Sequence, residues 1–176
     1  MAVNGGLNAV PVEELLVYQG EVFINFRTSR QWVVMKLFAL PAESDDYQIL
    51  DLLIRHLRYR DSYAAPEFKD AKTIHGPYWS YAIAPELFFP VSAVDATALI
   101  RTWAEYDVPL TDIDREAMER EVYPRIHAAT SRYQLPDLVD TAQHDWGSTV
   151  GCTGFHEFVL IDRRADRVAL VVASDD

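Results

Sequence analysis

Two segments near the end of the chain limit its fold more than any other feature. Residues 155–162, Phe-His-Glu-Phe-Val-Leu-Ile-Asp, and residues 167–173, Arg-Val-Ala-Leu-Val-Val-Ala, are dominated by large apolar side chains. The polar run Arg163-Arg164-Ala165-Asp166 between them reads as a hairpin turn. A strand with one wet face alternates polar and apolar residues, and these two alternate too little for that. They belong in the interior of a sheet, with Val159, Ile161, Leu170 and Val172 expected to be buried.

A second hairpin is expected near the other end. In residues 21–27, Val22, Ile24 and Phe26 share one face while Glu21 and Asn25 lie on the other. Thr28-Ser29-Arg30 supplies a polar turn, and Trp32 to Leu40 forms a second strand, apolar on both faces apart from Lys36. Residues 1–11, with Asn4-Gly5-Gly6 and Pro11, read as a loose lead-in.

Helical spacing governs much of the remainder. Ser44 is placed to cap a helix with Asp45 and Asp46 in its first turn. Leu50, Leu53, Ile54 and Leu57 form its apolar stripe, and it is expected to end near Tyr59. Ser92 with Asp95 caps a second helix, whose buried stripe is Ala96, Leu99, Ile100 and Trp103 and whose end lies near Tyr106. Thr111 with Asp114 caps a third, lined by Met118, Val122, Ile126, Ala129 and Tyr133. Its outer face pairs Arg115 with Glu119, Glu116 with Arg120 and Glu121 with Arg125, all at i, i+4. Pro124 removes a backbone donor and clashes one turn back, which predicts a kink or break near Val122. A short helical turn is expected within Pro136–His144, and a strand within Tyr78–Ala84. Residues 61–90 hold four of the nine prolines, so no continuous helix crosses them.

Strands that come in hairpins, rather than alternating singly with helices, indicate α+β and not a doubly wound parallel sheet. The expected architecture is an antiparallel sheet from the N- and C-terminal β-hairpins, packed against about three main helices. With 176 residues, no internal repeat and no low-complexity linker, residues 1–176 read as one domain.

The net charge of −11 disfavours a phosphate backbone or an anionic membrane surface, because its few cations do not cluster. Arg55, Arg58 and Arg60 end one helix, and Arg163, Arg164 and Arg167 flank a turn. The charge suits a basic protein partner. No apolar run reaches the length of a membrane span or a signal peptide, so the cytoplasm is the expected compartment. The single cysteine allows no intramolecular disulfide. Thirteen Arg against three Lys point to a GC-rich bacterial genome.

Residues 144–156, His-Asp-Trp-Gly-Ser-Thr-Val-Gly-Cys-Thr-Gly-Phe-His, concentrate the candidate chemistry. Cys152 is the candidate nucleophile, His144 or His156 the base, and Asp145 the group that orients it. Gly151 and Gly154 would let backbone N–H groups approach a substrate oxyanion. The competing reading is a small thiol in a tight glycine turn, because the spacing matches no cysteine-hydrolase signature. His144, Asp145, Cys152 and His156 also offer metal donors, but no zinc spacing is present, and neither metal nor cofactor is expected. The acidic run Asp112, Asp114, Glu116, Glu119 and Glu121 alternates with arginines at helix spacing, as on a solvated helix face. His75, Tyr78, Trp79 and Tyr81, with Trp146, could wall a ligand pocket or form a protein-binding hot spot; alternatively the rings are core. No phosphate loop or GxSxG occurs.

Two functional classes remain. The leading one is a non-enzymatic protein-binding or regulatory module of the immunity type. The alternative is a small enzyme or ligand-binding protein with its site around residues 144–156 and 75–81.

Overall fold

The structure is a computed structural model that describes residues 9–63 and 71–176. A six-stranded antiparallel sheet runs in the order β1-β2-β8-β7-β6-β5. Its strands are β1 (Tyr18–Asn25), β2 (Gln31–Ala39), β5 (Phe89–Pro90), β6 (Ser131–Leu135), β7 (His156–Asp162) and β8 (Arg167–Asp175). A separate two-stranded ribbon pairs β3 (Ile74–His75) with β4 (Tyr78–Trp79). The helices are α1 (Val12–Leu15), α2 (Asp46–Arg55), α3 (Ala93–Ala104), α4 (Asp112–Glu121), α5 (Tyr123–Ala128) and α6 (Val139–Ala142).

The expected architecture is therefore present. Both hairpins contribute to one sheet, and β8 lies at its centre between β2 and β7. The apolar character of the C-terminal strands follows from layers on both faces. On one face Val159, Ile161, Leu170 and Val172, all 0% exposed, pack with α2 and the aromatic segment through Ile49, Leu53, Tyr59 and Tyr78. On the other, Phe158, Leu160, Val171 and Ala173 meet Ile100, Met118 and Ile126 of α3–α5. Only the first residue of β8 is exposed.

Caps follow local chemistry. The Ser92 and Thr111 side chains accept from the N–H groups of Asp95 and Asp114, as their spacing indicates. The cap of α2 is Asp45 rather than Ser44. Its carboxylate accepts from Gln48 N–H at 2.8 Å while the Gln48 side chain accepts from Asp45 N–H at 3.0 Å, a reciprocal pair that a hydroxyl one residue earlier does not make. The helix also stops at Arg55, not near Tyr59. His56 turns extended, leaving Leu57 58% exposed outside the stripe while Tyr59 swings into the core. Pro124 divides α4 from α5 at Val122, as expected.

The third helix does not reach Tyr133, which lies in β6 and pairs with Val159. Arg115 does not reach Glu119; it bonds Asp112 and Glu105, and Glu119 pairs with Arg101. The strand expected over Tyr78–Ala84 is two residues long, because a 3₁₀ turn at Ser80–Ala82 ends it. The lead-in ends at Pro11, which caps the short helix Val12–Leu15, and its first eight residues lie outside the described residues.

Candidate functional site

Residues 144–156 are tied to the end of β8 by backbone bonds. Gly151 N–H donates to Asp175 O at 2.8 Å, and Gly154 N–H donates to Gly151 O at 3.1 Å. Thr153 N–H reaches both Asp175 carboxylate oxygens at 3.0 and 3.1 Å, and Ser174 Oγ donates to Gly154 O. The glycine donors that could stabilise an oxyanion are thus occupied within the loop. Gly154 sits at φ +135°, and a Cβ there would strike the His156 ring.

The loop does not gather the candidate triad. Cys152 is exposed, and its thiol faces Ser148 O at 3.7 Å. Asp145 is exposed. His144 is buried, with Nε2 donating to Gly76 O at 2.8 Å and Nδ1 accepting from Trp146 N–H at 3.1 Å. Those two bonds fix one neutral tautomer and use both ring nitrogens. His156 points to the opposite side of the sheet, edge-on to Trp103 of α3. Burial lowers its pKa below the ordinary histidine value, with Asp137 and Asp175 opposing.

The aromatic candidates divide between core and surface. Tyr78 is 1% exposed; its hydroxyl donates to Asp137 and accepts from Leu138 N–H, and burial pushes its pKa up to about 12. Trp79 stacks on Tyr81 and meets His144 edge-on, while Tyr81 and Trp146 are largely exposed.

His75 is not on that surface. It is 0% exposed, and its Nε2 lies 2.7 Å from Glu157 Oε2, also 0% exposed. Its Nδ1 lies 2.5 Å from Tyr59 O, which can only accept, so Nδ1 carries a proton. Tyr59 OH donates to Glu157 Oε1 at 2.9 Å, and the Tyr59 ring stacks on His75 at 3.8 Å. Tyr63 and Phe155 close the cage edge-on. Gly76, at φ +52°, leaves space where Phe155 lies against the turn. Beside the cage, Lys36, 2% exposed, bonds Asp61 at 2.6 Å and Arg58 O at 2.7 Å. Sequence reasoning missed Glu157 and Tyr59. The available signal was a carboxylate near the start of a strand otherwise too apolar to face water, which requires a buried partner.

Surface concavities lie elsewhere. A cleft of about 590 Å³ between α1 and α2 is lined by Glu14, Leu15, Glu43, Tyr47, Asp51 and Arg55, among others. Leu15 is 43% and Tyr47 53% exposed. Arg55 is engaged by Asp51, and the Tyr47 hydroxyl donates to Glu86. A shallower, mostly apolar groove of about 400 Å³ follows α3, with Trp103, Tyr106 and His156 along it. Among the described residues no three His, Cys, Asp or Glu side chains are grouped to hold a metal, and no helix is long and apolar enough to cross a membrane.

Comparison with known proteins adds little. No protein-family model matches the chain, and no curated protein sequence matches it significantly. One solved structure, of citrus MAF1, is similar at a TM-score of 0.33 and 13% identity over 85% of this chain and 92% of that one. A likeness that low carries no argument about fold or function.

Proposed function

We propose that the chain is a non-enzymatic module that binds a protein partner of basic surface, as an immunity-type or regulatory protein does. The α1–α2 cleft carries this reading: a concavity of about 590 Å³ with carboxylates at its rim and uncovered apolar side chains beside them. A net charge of −11 steers cationic partners toward it and repels polyanions. The engagement of His144, Gly151 and Gly154 in structural bonds removes support from the catalytic alternative. The reading takes residues 1–176 as one domain working in a bacterial cytoplasm.

Fluorescence anisotropy tests it, with labelled basic peptides and random-sequence duplex DNA titrated against the protein at several salt concentrations. Basic peptides should bind with a salt-sensitive affinity. DNA should bind more weakly than the usual non-specific range of about 10⁻⁴–10⁻⁶ M. Micromolar DNA binding that collapses as salt rises would assign the opposite partner.

A further inference from the structure

We infer that the α1–α2 cleft docks an extended basic segment of the partner, with one apolar side chain seated between Leu15 and Tyr47 and flanking Lys or Arg side chains on Glu14 and Glu43. This inference rests on the protein-binding reading and adds to it the site and the occupant.

Charge complementarity selects the occupant. Glu14, Glu43 and Asp51 line the cleft against one cation, Arg55, which Asp51 already engages. Among the described residues neither Glu14 nor Glu43 forms an ion pair, so both carboxylates are available to an incoming cation. A second copy of the chain is disfavoured because it carries the same charge of −11. Residues 1–8, Met-Ala-Val-Asn-Gly-Gly-Leu-Asn, contain no Lys or Arg, and residues 64–70 hold Lys69 against Glu67 and Asp70. Neither segment supplies the cations. A nucleic acid has the wrong sign.

The apolar part of the cleft supplies the anchor. Tyr47 is held by its bond to Glu86, so its ring is oriented before anything binds, which reduces the ordering cost of association. A large side chain inserted there would exclude water around the flanking ion pairs and strengthen them, as in hot spots ringed by polar contacts.

The test uses the full chain and nonapeptides with one central Leu and four Lys or Arg at varied flanking positions. Its comparison is between Glu14→Lys/Glu43→Lys and Asp107→Lys/Glu116→Lys. Both pairs change the net charge equally, but the second lies outside the cleft, at exposed positions after α3 and on α4. The cleft pair should weaken the best peptide by about tenfold or more, and the control pair by less than about threefold at physiological salt, where separated surface charges are largely screened. Replacing the central Leu by Gly should also cost about tenfold. Circular dichroism checks that each variant folds. Equal losses from both pairs, with no effect of the central Leu, would overturn the cleft and leave the basic-partner reading standing. No peptide binding below about 1 mM would overturn both.

Discussion

Removing the His75 side chain should be among the most damaging single changes available in this chain. The His75–Glu157 pair has no exposed surface on either side chain. With His75→Ala, the Glu157 carboxylate keeps one bond, from Tyr59 OH, and loses its cationic or proton-sharing partner. Breaking one side of a buried pair in this way costs about 3–5 kcal/mol. Total stability for a domain is about 5–15 kcal/mol, so a large fraction would be lost. At about 2–4 °C per kcal/mol for a chain of this size, the melting temperature should drop by about 6–20 °C.

Glu157→Gln provides the control. A neutral His75 with its proton on Nδ1 presents Nε2 as an acceptor, which the Gln amide can fill while its carbonyl accepts from Tyr59 OH. Every polar atom in the trio then has a partner, and the cost should be about 1 kcal/mol, the scale of a neutral hydrogen bond. The double variant should be more stable than His75→Ala alone, because an orphaned amide costs less than an orphaned carboxylate. Urea unfolding of the four proteins, followed by far-UV circular dichroism, completes the cycle. A double variant as unstable as the sum of the two single losses would refute the reasoning. The His75→Ala penalty would then be a cavity effect, not a stranded charge.

Truncation after Asp166 should prevent soluble, cooperative folding, since it removes β8 from the middle of the sheet and exposes the edges of β2 and β7; expression with a thermal melt checks it. Leu170 and Val172 alone, both 0% exposed, account for about 3–6 kcal/mol of burial. Cys152→Ala should change urea stability by less than about 0.5 kcal/mol, because the thiol is exposed and makes one weak contact. Burial lowers the pKa of both His56 and His156, so the unfolded chain takes up protons first as pH falls. Their contribution to stability is complete above about pH 6.5 and is lost as pH falls below it toward the folded values. Unfolding free energies from pH 8 to 5 should show that loss, and His156→Gln should reduce the slope.

The elements legible in the sequence are those whose signal is local. Strands β2, β7 and β8 announce themselves because both of their faces are covered, and β1 because its apolar residues alternate with exposed ones, while Ser92, Thr111 and Pro124 act within a few residues of themselves. Strand β6 was not legible. Ser131-Arg-Tyr-Gln-Leu is half polar, and Tyr133 falls at the next helical position after Ala129. Its conformation is set by pairing with β7, and Arg132 turns back to bond the carbonyls of Ile126 in α5 and of Ala129, the residue that caps it. The His75–Glu157 contact spans 82 residues, and no spacing rule reaches that far. The cleft is equally invisible, because it forms where α1 and the loop after β2 meet the side of α2.

The buried polar groups and the surface cleft are linked through α2. At its N-terminus Asp46 accepts from Tyr133 OH at 2.8 Å and pairs with Arg163 at 2.5 Å, which ties the helix to β6 and to the C-terminal hairpin turn. Beyond its C-terminus Tyr59 is locked between His75 and Glu157, and Lys36 of β2 holds Arg58 O and Asp61. Residues 56–63 have no regular structure, so few backbone bonds of their own fix their position. The polar cage does so, with geometry that apolar packing alone does not impose. Held at both ends, α2 presents Tyr47, Asp51 and Arg55 as a fixed wall of the cleft. A partner docking there would meet a helix already held at both ends, and little of its binding energy would go into ordering that helix. On this reasoning His75→Ala should weaken peptide affinity as well as stability, although His75 is fully buried and does not line the cleft.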